Sequence, residues 1–301
     1  MSSDKSGWRA PTGAVLGITC IAGAVALLST SDAVIKGLRV HLPTMEIICI
    51  RSLFGLIPVL VILHVQRLWP SLKTRRPIAQ VVRGGLIVVS YALFLEALAV
   101  MPLALTVALT FSAPLFVAAL SPLVLREKVS ASRWIGVGVG FLGVLVIVRP
   151  GFDAFRPEGL IAIGAAVAYA ASSLLARRLG STDPPAATAF YTGVMFFVGS
   201  LPFVLAMPSS WVAPDIGQVG LLVVTGLIAG TAHFLIIAAY RHAQASVVAP
   251  FEYTGLIWAA FYGYVFWNET PDEITTAGIV MIMAGGLWII FSERWRQSAA
   301  A

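Results

Sequence analysis

Ten apolar stretches, most close to 20 residues long, follow one another along the chain with short polar segments between them. A helix needs about 20 mostly apolar residues to cross roughly 30 Å of hydrocarbon. The pattern therefore predicts an all-α membrane protein with ten transmembrane helices. The predicted spans cover residues 13–35, 44–64, 81–99, 103–125, 133–149, 159–178, 186–206, 217–240, 245–267 and 274–292.

Composition supports a lipid environment. Of the 301 residues, 58% are hydrophobic and 11% are charged, whereas a soluble domain typically has about 45–50% apolar and about 25% charged residues. The longest gap between apolar runs, near residues 65–78, is too short for a further folded domain. The first run is too long for a signal peptide and no A-x-A-like cleavage site follows it, so we expect it to be retained.

The positions of Lys and Arg predict the orientation. Cytoplasmic loops of membrane proteins carry an excess of these residues. With the N-terminus inside, almost all of them fall on inner segments, and Arg51 lies within a span. We therefore expect both ends of the chain to face the cytoplasm. The few basic residues predicted outside are Lys36, Arg39, Arg149 and Arg156.

The two halves of the chain resemble each other at a nearly constant offset. The spacing holds from the first span to the tenth. At an offset of 141 residues, the matching pairs include Gly23 with Gly164, Ser31 with Ser172 and Leu38 with Leu179. At an offset of 142 residues, they include Gly84 with Gly226, Glu127 with Glu269 and Gly143 with Gly285. Because five is an odd number of helices, the second copy must enter the membrane inverted.

Inverted repeats are typical of secondary transporters, which bind substrate near the bilayer midplane between the two halves. We predict two five-helix repeats at 13–149 and 159–292, with short cytoplasmic tails at 1–12 and 293–301. A channel built by the same duplication is the alternative.

Two stretches, 83–151 and 249–294, share a pattern of a proline within a span, an acidic turn and a glycine-rich helix. The turns read Arg126-Glu127 and Asn268-Glu269. This pattern resembles the EamA-type members of the drug/metabolite transporter superfamily. The resemblance covers essentially the whole chain. The IRSLFG run of the second span and the AP-x-x-Y…NE-x-PD ending look closest to bacterial S-adenosylmethionine and riboflavin carriers.

The resemblance implies a carrier of a small polar organic metabolite, amino-acid-derived or nucleoside- or flavin-like, in the bacterial inner membrane. Export of a drug, an amino acid or a metallophore on the same fold is the alternative. It also implies transport without ATP hydrolysis, and the chain has no G-x-x-x-x-G-K-[ST] loop. A proton or an exchanged counter-substrate is the expected coupling partner.

A carboxylate in the ninth span is the sharpest signal for a site. Glu252 follows Pro250, which removes a backbone donor, and precedes Tyr253. A charge near the bilayer centre costs at least about 2.5–3.5 kcal/mol on insertion scales, so it requires a role. Glu252 could neutralise a cationic substrate or carry a coupling proton, or it could hydrogen-bond quietly to a neighbouring helix.

The repeat places the fourth span opposite the ninth across the predicted cavity. The fourth-span residues at or beside the positions equivalent to Glu252 and Tyr253 include Phe111, Ser112 and Pro114. Tyr91 and His233, which also match each other, are predicted to line the cavity from the third and eighth spans. Packing is the alternative role for His233.

Arg51 lies about 10 Å into the second span at 1.5 Å per residue. It could bind a substrate carboxylate, close a gate, or fix helix packing. Glu46 precedes it by five residues and does not share its face, so Glu96 of the third span is the expected partner. Asp32 and Lys36, four residues apart on the first span, are expected to form a local ion pair.

Other functional classes find little support. The four His residues have no metal-ligand spacing and there is no nucleophile elbow, so we expect neither an enzyme nor a bound metal or cofactor. No charge ring supports an ion channel. The basic residues are dispersed among inner loops, which argues against a nucleic-acid partner. Apart from substrate, the expected partner is the lipid bilayer, and the oligomeric state is open.

Overall fold

The computed structural model describes residues 11–67, 69–125, 131–149, 157–179, 185–206, 211–243 and 245–299. Within these ranges the regular structure is entirely helical. The α-helices are α1 (Pro11–Leu38), α2 (Thr44–Val65), α3 (Pro77–Val100), α4 (Leu103–Thr110), α5 (Ala113–Leu125), α6 (Ala131–Val148), α7 (Gly159–Leu179), α8 (Pro185–Ala206), α9 (Ile216–His242), α10 (Ala245–Val248), α11 (Thr254–Trp267) and α12 (Glu273–Ala299).

Eight helical segments of the described chain are long and apolar enough to cross a membrane. The ten predicted spans are therefore reproduced only in part. The fifth is a shorter apolar helix, Trp134–Val148. The ninth is divided into α10, a 3-10 turn and the 14-residue α11, so no single helix of it reaches crossing length. Of the predicted terminal tails, residues 1–10, 300 and 301 lie outside the described ranges, while residues 293–299 continue helix α12.

The fourth span is interrupted at mid-length. Helix α4 ends at Thr110 and α5 begins at Ala113, with Phe111 and Ser112 in a turn between them. Pro114 has no backbone N–H, so it cannot donate to the carbonyl of Thr110. The peptide N–H of Ser112 instead reaches the carbonyl of Leu109 at 3.1 Å. The break therefore follows from the proline that the sequence places there.

The ninth span is interrupted at the equivalent place. A 3-10 helix, Ala249–Tyr253, links α10 to α11 and has Pro250 in its first turn. The offset of the repeat carries Phe111 onto Tyr253. Both halves thus break the same helix at the same point, which exposes backbone and side chains at mid-depth to neighbouring elements.

Packing between the helices follows the internal repeat. Helix α1 packs on α9 and its counterpart α7 packs on α3, while α2 lies against α8 and α6 lies against α12. Exchanging the two halves turns the α1–α9 pair into the α7–α3 pair. It leaves the α2–α8 and α6–α12 pairs unchanged. Helices α6 and α12 approach closely: a Cβ on Gly143 would lie 2.7 Å from the carbonyl oxygen of Gly278. Small residues permit this approach in membrane helices.

Candidate functional site

Several polar residues in the middle of the bundle are enclosed by protein and yet retain exposed surface. Tyr169 of α7 is surrounded by protein, but 48% of its surface is exposed. Asp32 of α1 and His233 of α9 are also surrounded by protein. By accessible surface, Asp32 is half-buried and His233 is exposed. Surface of this kind faces an internal space rather than lipid. The bundle therefore contains a polar cavity.

Arg51 of α2 anchors one wall of this cavity. Its guanidinium donates to the hydroxyl of Tyr91 at 2.5 Å and to the hydroxyl of Ser31 at 3.0 Å. It also lies over the ring of Tyr91, 5.1 Å from the centroid, an arrangement that favours a cation. Tyr91 is braced by Phe94, which stacks on it, and by Phe196, which meets it edge-on. Arg51 and Tyr91 thus meet as the site prediction requires.

The expected contact between Arg51 and Glu96 is absent among the described residues. Glu96 instead accepts a hydrogen bond from Arg39 at 3.0 Å and another from the hydroxyl of Thr44. It therefore ties the end of α1 to the start of α2. Glu46 lies nearby and accepts from the backbone N–H of Val212 at 3.1 Å, so its role here is to hold the segment that precedes α9.

The predicted pair of Asp32 and Lys36 is also not formed. Lys36 is ion-paired with Glu269, from the loop before α12, and its ammonium donates to the carbonyl of Met101 at 3.0 Å. Glu269 in turn accepts from the backbone N–H of Leu103 at the start of α4, at 2.8 Å. Lys36 is only 8% exposed. Asp32 is left facing the cavity.

These contacts close one end of the bundle, the end that holds residues 36–46, 96–103 and 267–273; we call it the closed end. Arg149 and Asp272 form a further ion pair there, at 2.6 Å. Hydrogen bonds from Thr275 and from Arg149 hold the pKa of Asp272 below its usual range. Because a lowered pKa keeps the carboxylate ionised, this pair persists in mild acid.

Glu252 lies on a second wall, in the interrupted ninth span. Its carboxylate accepts a hydrogen bond from Tyr240 of α9 at 2.5 Å. Tyr169 lies within electrostatic range of it. Sequence reasoning missed both tyrosines, because nothing local marks Tyr169 or Tyr240 as turned toward Glu252. The carboxylate is half-buried, so one side of it remains available to a ligand.

Helix α9 connects the two walls. His233 lies within electrostatic range of Arg51, and its Nδ1 lies 2.9 Å from the carbonyl of Ala229 in its own helix. Tyr240, seven residues further along, bonds to Glu252. Seven residues are two helical turns on one face, or about 10 Å. His233, near Arg51, and Tyr240, bound to Glu252, therefore lie on one face of α9 about 10 Å apart.

Tyr253 and Phe111 meet where the two interrupted spans cross. Their rings stack with centroids 5.2 Å apart, so the fourth and ninth spans, which were predicted to face each other across a cavity, are in direct contact at this point. Tyr253 is only 4% exposed and its hydroxyl has no hydrogen-bond partner. Ser112 is fully buried and donates to the carbonyl of Leu109. Tyr253 and Ser112 therefore pack the contact between the two interrupted spans. Of Phe111, Ser112 and Tyr253, only Phe111 is partly exposed.

The internal symmetry fails at this crossing. At the closed end, α4 packs against α11. Within the described residues, α5 and the segment 249–253 show no comparable packing, although the repeat relates them in the same way. A cavity of about 260 Å³ lies beside α5 instead, lined by Pro114, Val117, Ala118, Ser121, Tyr169, Arg177 and Ile289. A second cavity, of about 350 Å³, lies at the closed end and is lined by Lys36, Arg39, Val40, Leu98, Ala99, Val100, Met101, Pro102, Trp267 and Glu269. The two ends of the bundle therefore differ in helix packing, and a cavity is found at each.

The described part of the chain holds no group of three or more His, Cys, Asp or Glu residues placed to bind a metal ion. Cys20 and Cys49 are free thiols. Pro250 lies in the 3-10 turn before Glu252 and shapes it without offering a polar group.

Comparison with known families decides the class of protein. The model of the EamA-like transporter family matches twice, at residues 15–149 and 157–291. Together the two matches span almost the whole chain. The chain belongs to the EamA-like transporter family. An EamA-like transporter is a carrier and not an enzyme, and the tandem match agrees with the two repeats that the helix packing reveals.

Relatives of this EamA-like transporter move several small metabolites. An S-adenosylmethionine uptake transporter of Rickettsia bellii is 29% identical over 90% of this chain and 91% of its own length. A riboflavin transporter of Vibrio cholerae is 29% identical, covering 91% of each chain. The pseudopaline exporter CntI of Pseudomonas aeruginosa is 28% identical over 85% of this chain and 89% of its own.

A solved structure, entitled only as the crystal structure of a protein, has the same fold. It covers 94% of this EamA-like transporter and 98% of its own chain, with a TM-score of 0.64 and 19% identity. This likeness concerns the fold alone. The family match and the relatives show that the chain is a multi-pass membrane protein that transports a small metabolite, as the sequence predicted.

Proposed function

We propose that this protein is a secondary transporter that moves a small polar organic metabolite across the bacterial inner membrane by alternating access. The observation that carries the proposal is the set of charged side chains held inside the bundle, Arg51 by Tyr91 and Ser31 and Glu252 by Tyr240. Charged groups inside a membrane protein mark substrate or ion pathways, because each is costly to keep there.

The proposal includes ten crossings. The short helix Trp134–Val148 and the composite segment 245–267 would complete two inverted repeats at 13–149 and 159–292. Interrupted backbone of the kind seen at 249–253 is tolerated at membrane depth where protein or a water-filled cavity covers it. With both termini in the cytoplasm, the closed end faces the periplasm and the space beside α5 faces the cytoplasm.

In this arrangement ion pairs and the packing of α4 on α11 hold the periplasmic end together, whereas the described residues of α5 and 249–253 show no equivalent packing at the cytoplasmic end. The ion pair of Lys36 with Glu269 joins the first repeat to the second at the closed end. The breaks at Phe111–Ser112 and at Pro250 are the places where the halves of the fourth and ninth spans could move separately. Alternating access would exchange the packing of α4 on α11 for the equivalent packing of α5 on 249–253.

The substrate would lie between the two charged walls. Arg51 suits an anionic group such as a carboxylate. Glu252 suits a cationic centre or a hydrogen-bond donor, and Tyr91, Tyr169 and Phe111 offer aromatic surface. His233, Pro114 and Pro250 would shape the path, with Tyr253 and Ser112 holding the crossing and with Glu46 and Glu96 holding the closed end.

Coupling would come from exchange or from a proton. No phosphate-binding loop is present in the sequence, so a gradient or a counter-substrate must supply the energy. Glu252, whose neighbours are hydroxyls rather than cations, is the proposed proton carrier if the coupling ion is H⁺.

Transport by purified protein in proteoliposomes tests the proposal. Labelled S-adenosylmethionine and labelled riboflavin should be offered to vesicles that are empty or preloaded with the same unlabelled compound. We expect saturable uptake of at least one compound, accelerated by preloading. Unsaturable flux of both, with ion currents across the same vesicles, would favour a channel. Uptake measured from each face of oriented vesicles gives the direction.

A further inference from the structure

We infer that Asp32 and Arg51 together form a subsite for an α-amino-acid head group, in which Arg51 holds the carboxylate and Asp32 holds the ammonium. The inference rests on the proposed function, since it assigns a substrate class to the same cavity.

The first observation concerns the position of Asp32. It follows Ser31, whose hydroxyl accepts a hydrogen bond from Arg51 at 3.0 Å, and it lies within electrostatic range of the guanidinium. The two opposite charges nevertheless form no ion pair: the described residues contain none within 4.0 Å between them. Opposite charges that share a cavity without touching leave room for a ligand that carries both signs.

The second observation is that the obvious local partner of Asp32 is engaged elsewhere. Lys36, one turn along α1, is bound by Glu269 and by the carbonyl of Met101. In the described ranges Asp32 has no hydrogen-bond or ion-pair partner, although protein surrounds it. Its partial exposure directs the carboxylate to the internal space. An ammonium group of a ligand would supply the missing partner.

The third observation concerns the unused donors of Arg51. A guanidinium has five N–H donors in a rigid fork. Arg51 donates through Nη1 to Tyr91 and through Nη2 to Ser31, so each terminal nitrogen keeps a second N–H, whereas the Nε is fully buried and has no partner in the described structure. The ring of Tyr91 holds the guanidinium plane in place. A carboxylate is the group that this fork recognises best.

Glu252 makes the subsite selective for a longer molecule. Tyr240, which donates to Glu252, lies two helical turns of α9, or about 10 Å, from His233, which is within electrostatic range of Arg51. An amino-acid head group bound between Arg51 and Asp32 would project its side chain toward Glu252. A side chain with a cationic or hydrogen-bond-donating end is therefore favoured over a short aliphatic one.

The test compares analogues on the wild-type protein, so it does not depend on any variant folding. Labelled S-adenosylmethionine is taken up into proteoliposomes in the presence of unlabelled S-adenosylmethionine, which has the whole amino-acid head group, or of decarboxylated S-adenosylmethionine, which keeps the sulfonium and the amine but lacks the carboxylate. We expect the first to inhibit at least about tenfold more strongly, the ratio that one good charge-assisted hydrogen bond provides. Equal inhibition by the two compounds would overturn the inference.

Variants locate the effect at the two residues. Asp32→Asn should raise the concentration for half-maximal uptake at least about tenfold, while Asp32→Glu should recover part of the affinity. Glu158→Gln, an exposed carboxylate before α7, is the matched control and should behave as wild type. Unchanged affinity in Asp32→Asn would remove Asp32 from the subsite. Uptake of riboflavin without S-adenosylmethionine would sink the inference and leave the proposed function standing, whereas uptake of neither, without any counterflow, would count against both.

Discussion

Phe111 and Tyr253 stack with ring centroids 5.2 Å apart, and each lies at the interruption of the fourth span of its own half. The residues are equivalent under the internal repeat. The pair therefore lies at the crossing where the two halves meet. Gly286 of α12 makes this arrangement possible, because a Cβ at that position would collide with the hydroxyl of Tyr253.

The first prediction concerns Gly286. The substitution Gly286→Ala should destabilise the protein by about 1–3 kcal/mol, the usual cost of overpacking, and should displace Tyr253. Removing the hydroxyl in the double variant Gly286→Ala/Tyr253→Phe should recover part of the loss. Thermal unfolding in detergent measures both. Gly85→Ala is the control, because no atom lies within 4 Å of a Cβ there; an equal loss in both alanine variants would refute the steric account.

A second prediction concerns Glu252. Replacing it with Gln keeps the size and removes the charge, so transport should fall at least about tenfold while membrane expression stays normal. The hydrogen bond from Tyr240 can still be made to the amide oxygen, which preserves the local packing. Tyr240→Phe should have a smaller effect. Wild-type flux in Glu252→Gln would show that this carboxylate does not meet the substrate or a coupling proton.

The third prediction uses the fork of Arg51. In Arg51→Lys a point charge replaces a planar donor set, so the contacts with Ser31 and Tyr91 and with a ligand carboxylate cannot all be made. We expect at least about tenfold weaker apparent affinity with normal expression. Arg76→Lys, exposed just before α3, serves as the comparison. If Arg51→Lys transports like wild type, a charge suffices at this position and the fork is not used.

The fourth prediction concerns the closed end. Glu269→Gln removes the ion pair with Lys36, and Asp272→Asn removes the ion pair with Arg149; each of these pairs joins the first repeat to the second. Helices α6 and α12 are packed closely through glycines, so the second change should leave access unaltered. A cysteine at the buried position of Ala33, in a background without Cys20 and Cys49, reports this access.

We expect a membrane-impermeant thiol reagent added from the periplasmic side to label Ala33→Cys faster in Glu269→Gln than in Asp272→Asn or in the parent. Equal labelling in all three would mean that the Lys36–Glu269 pair does not hold this end closed. Labelling from the cytoplasmic side alone would reverse the proposed orientation of the bundle.

The sequence predicted the features that depend on pattern and chain length. The apolar runs anticipated the helices, and the repeat offset anticipated that Phe111 would face Tyr253. Pro250 was expected to remove a backbone donor, but the interruption of the fourth span and the division of the ninth into three pieces were not predicted. That division depends on whether a 3-10 turn or an α-helical kink follows the proline, and the packing of neighbours decides it.

Side-chain partners across helices were predicted poorly, and the reason is geometric. Arg51 was expected to bind Glu96, but Glu96 lies closer to Arg39 at the end of α1. Lys36 was expected to bind Asp32 four residues earlier, but its partner Glu269 comes from the far end of the chain. Which side chains pair depends on the rotation of each helix and on its depth in the membrane, and a shift of one helical turn changes the partner. Sequence spacing does not fix either quantity between separate helices.

The account depends most on a polar cavity that binds substrate between the two halves. Counterflow in proteoliposomes tests it most directly: vesicles are loaded with unlabelled S-adenosylmethionine, labelled compound is added outside, and wild type is compared with Glu252→Gln at equal reconstitution. The account predicts a transient, saturable accumulation of label for wild type and at least about tenfold less for the variant. Equal accumulation in both, or a flux that rises linearly with concentration, would contradict it.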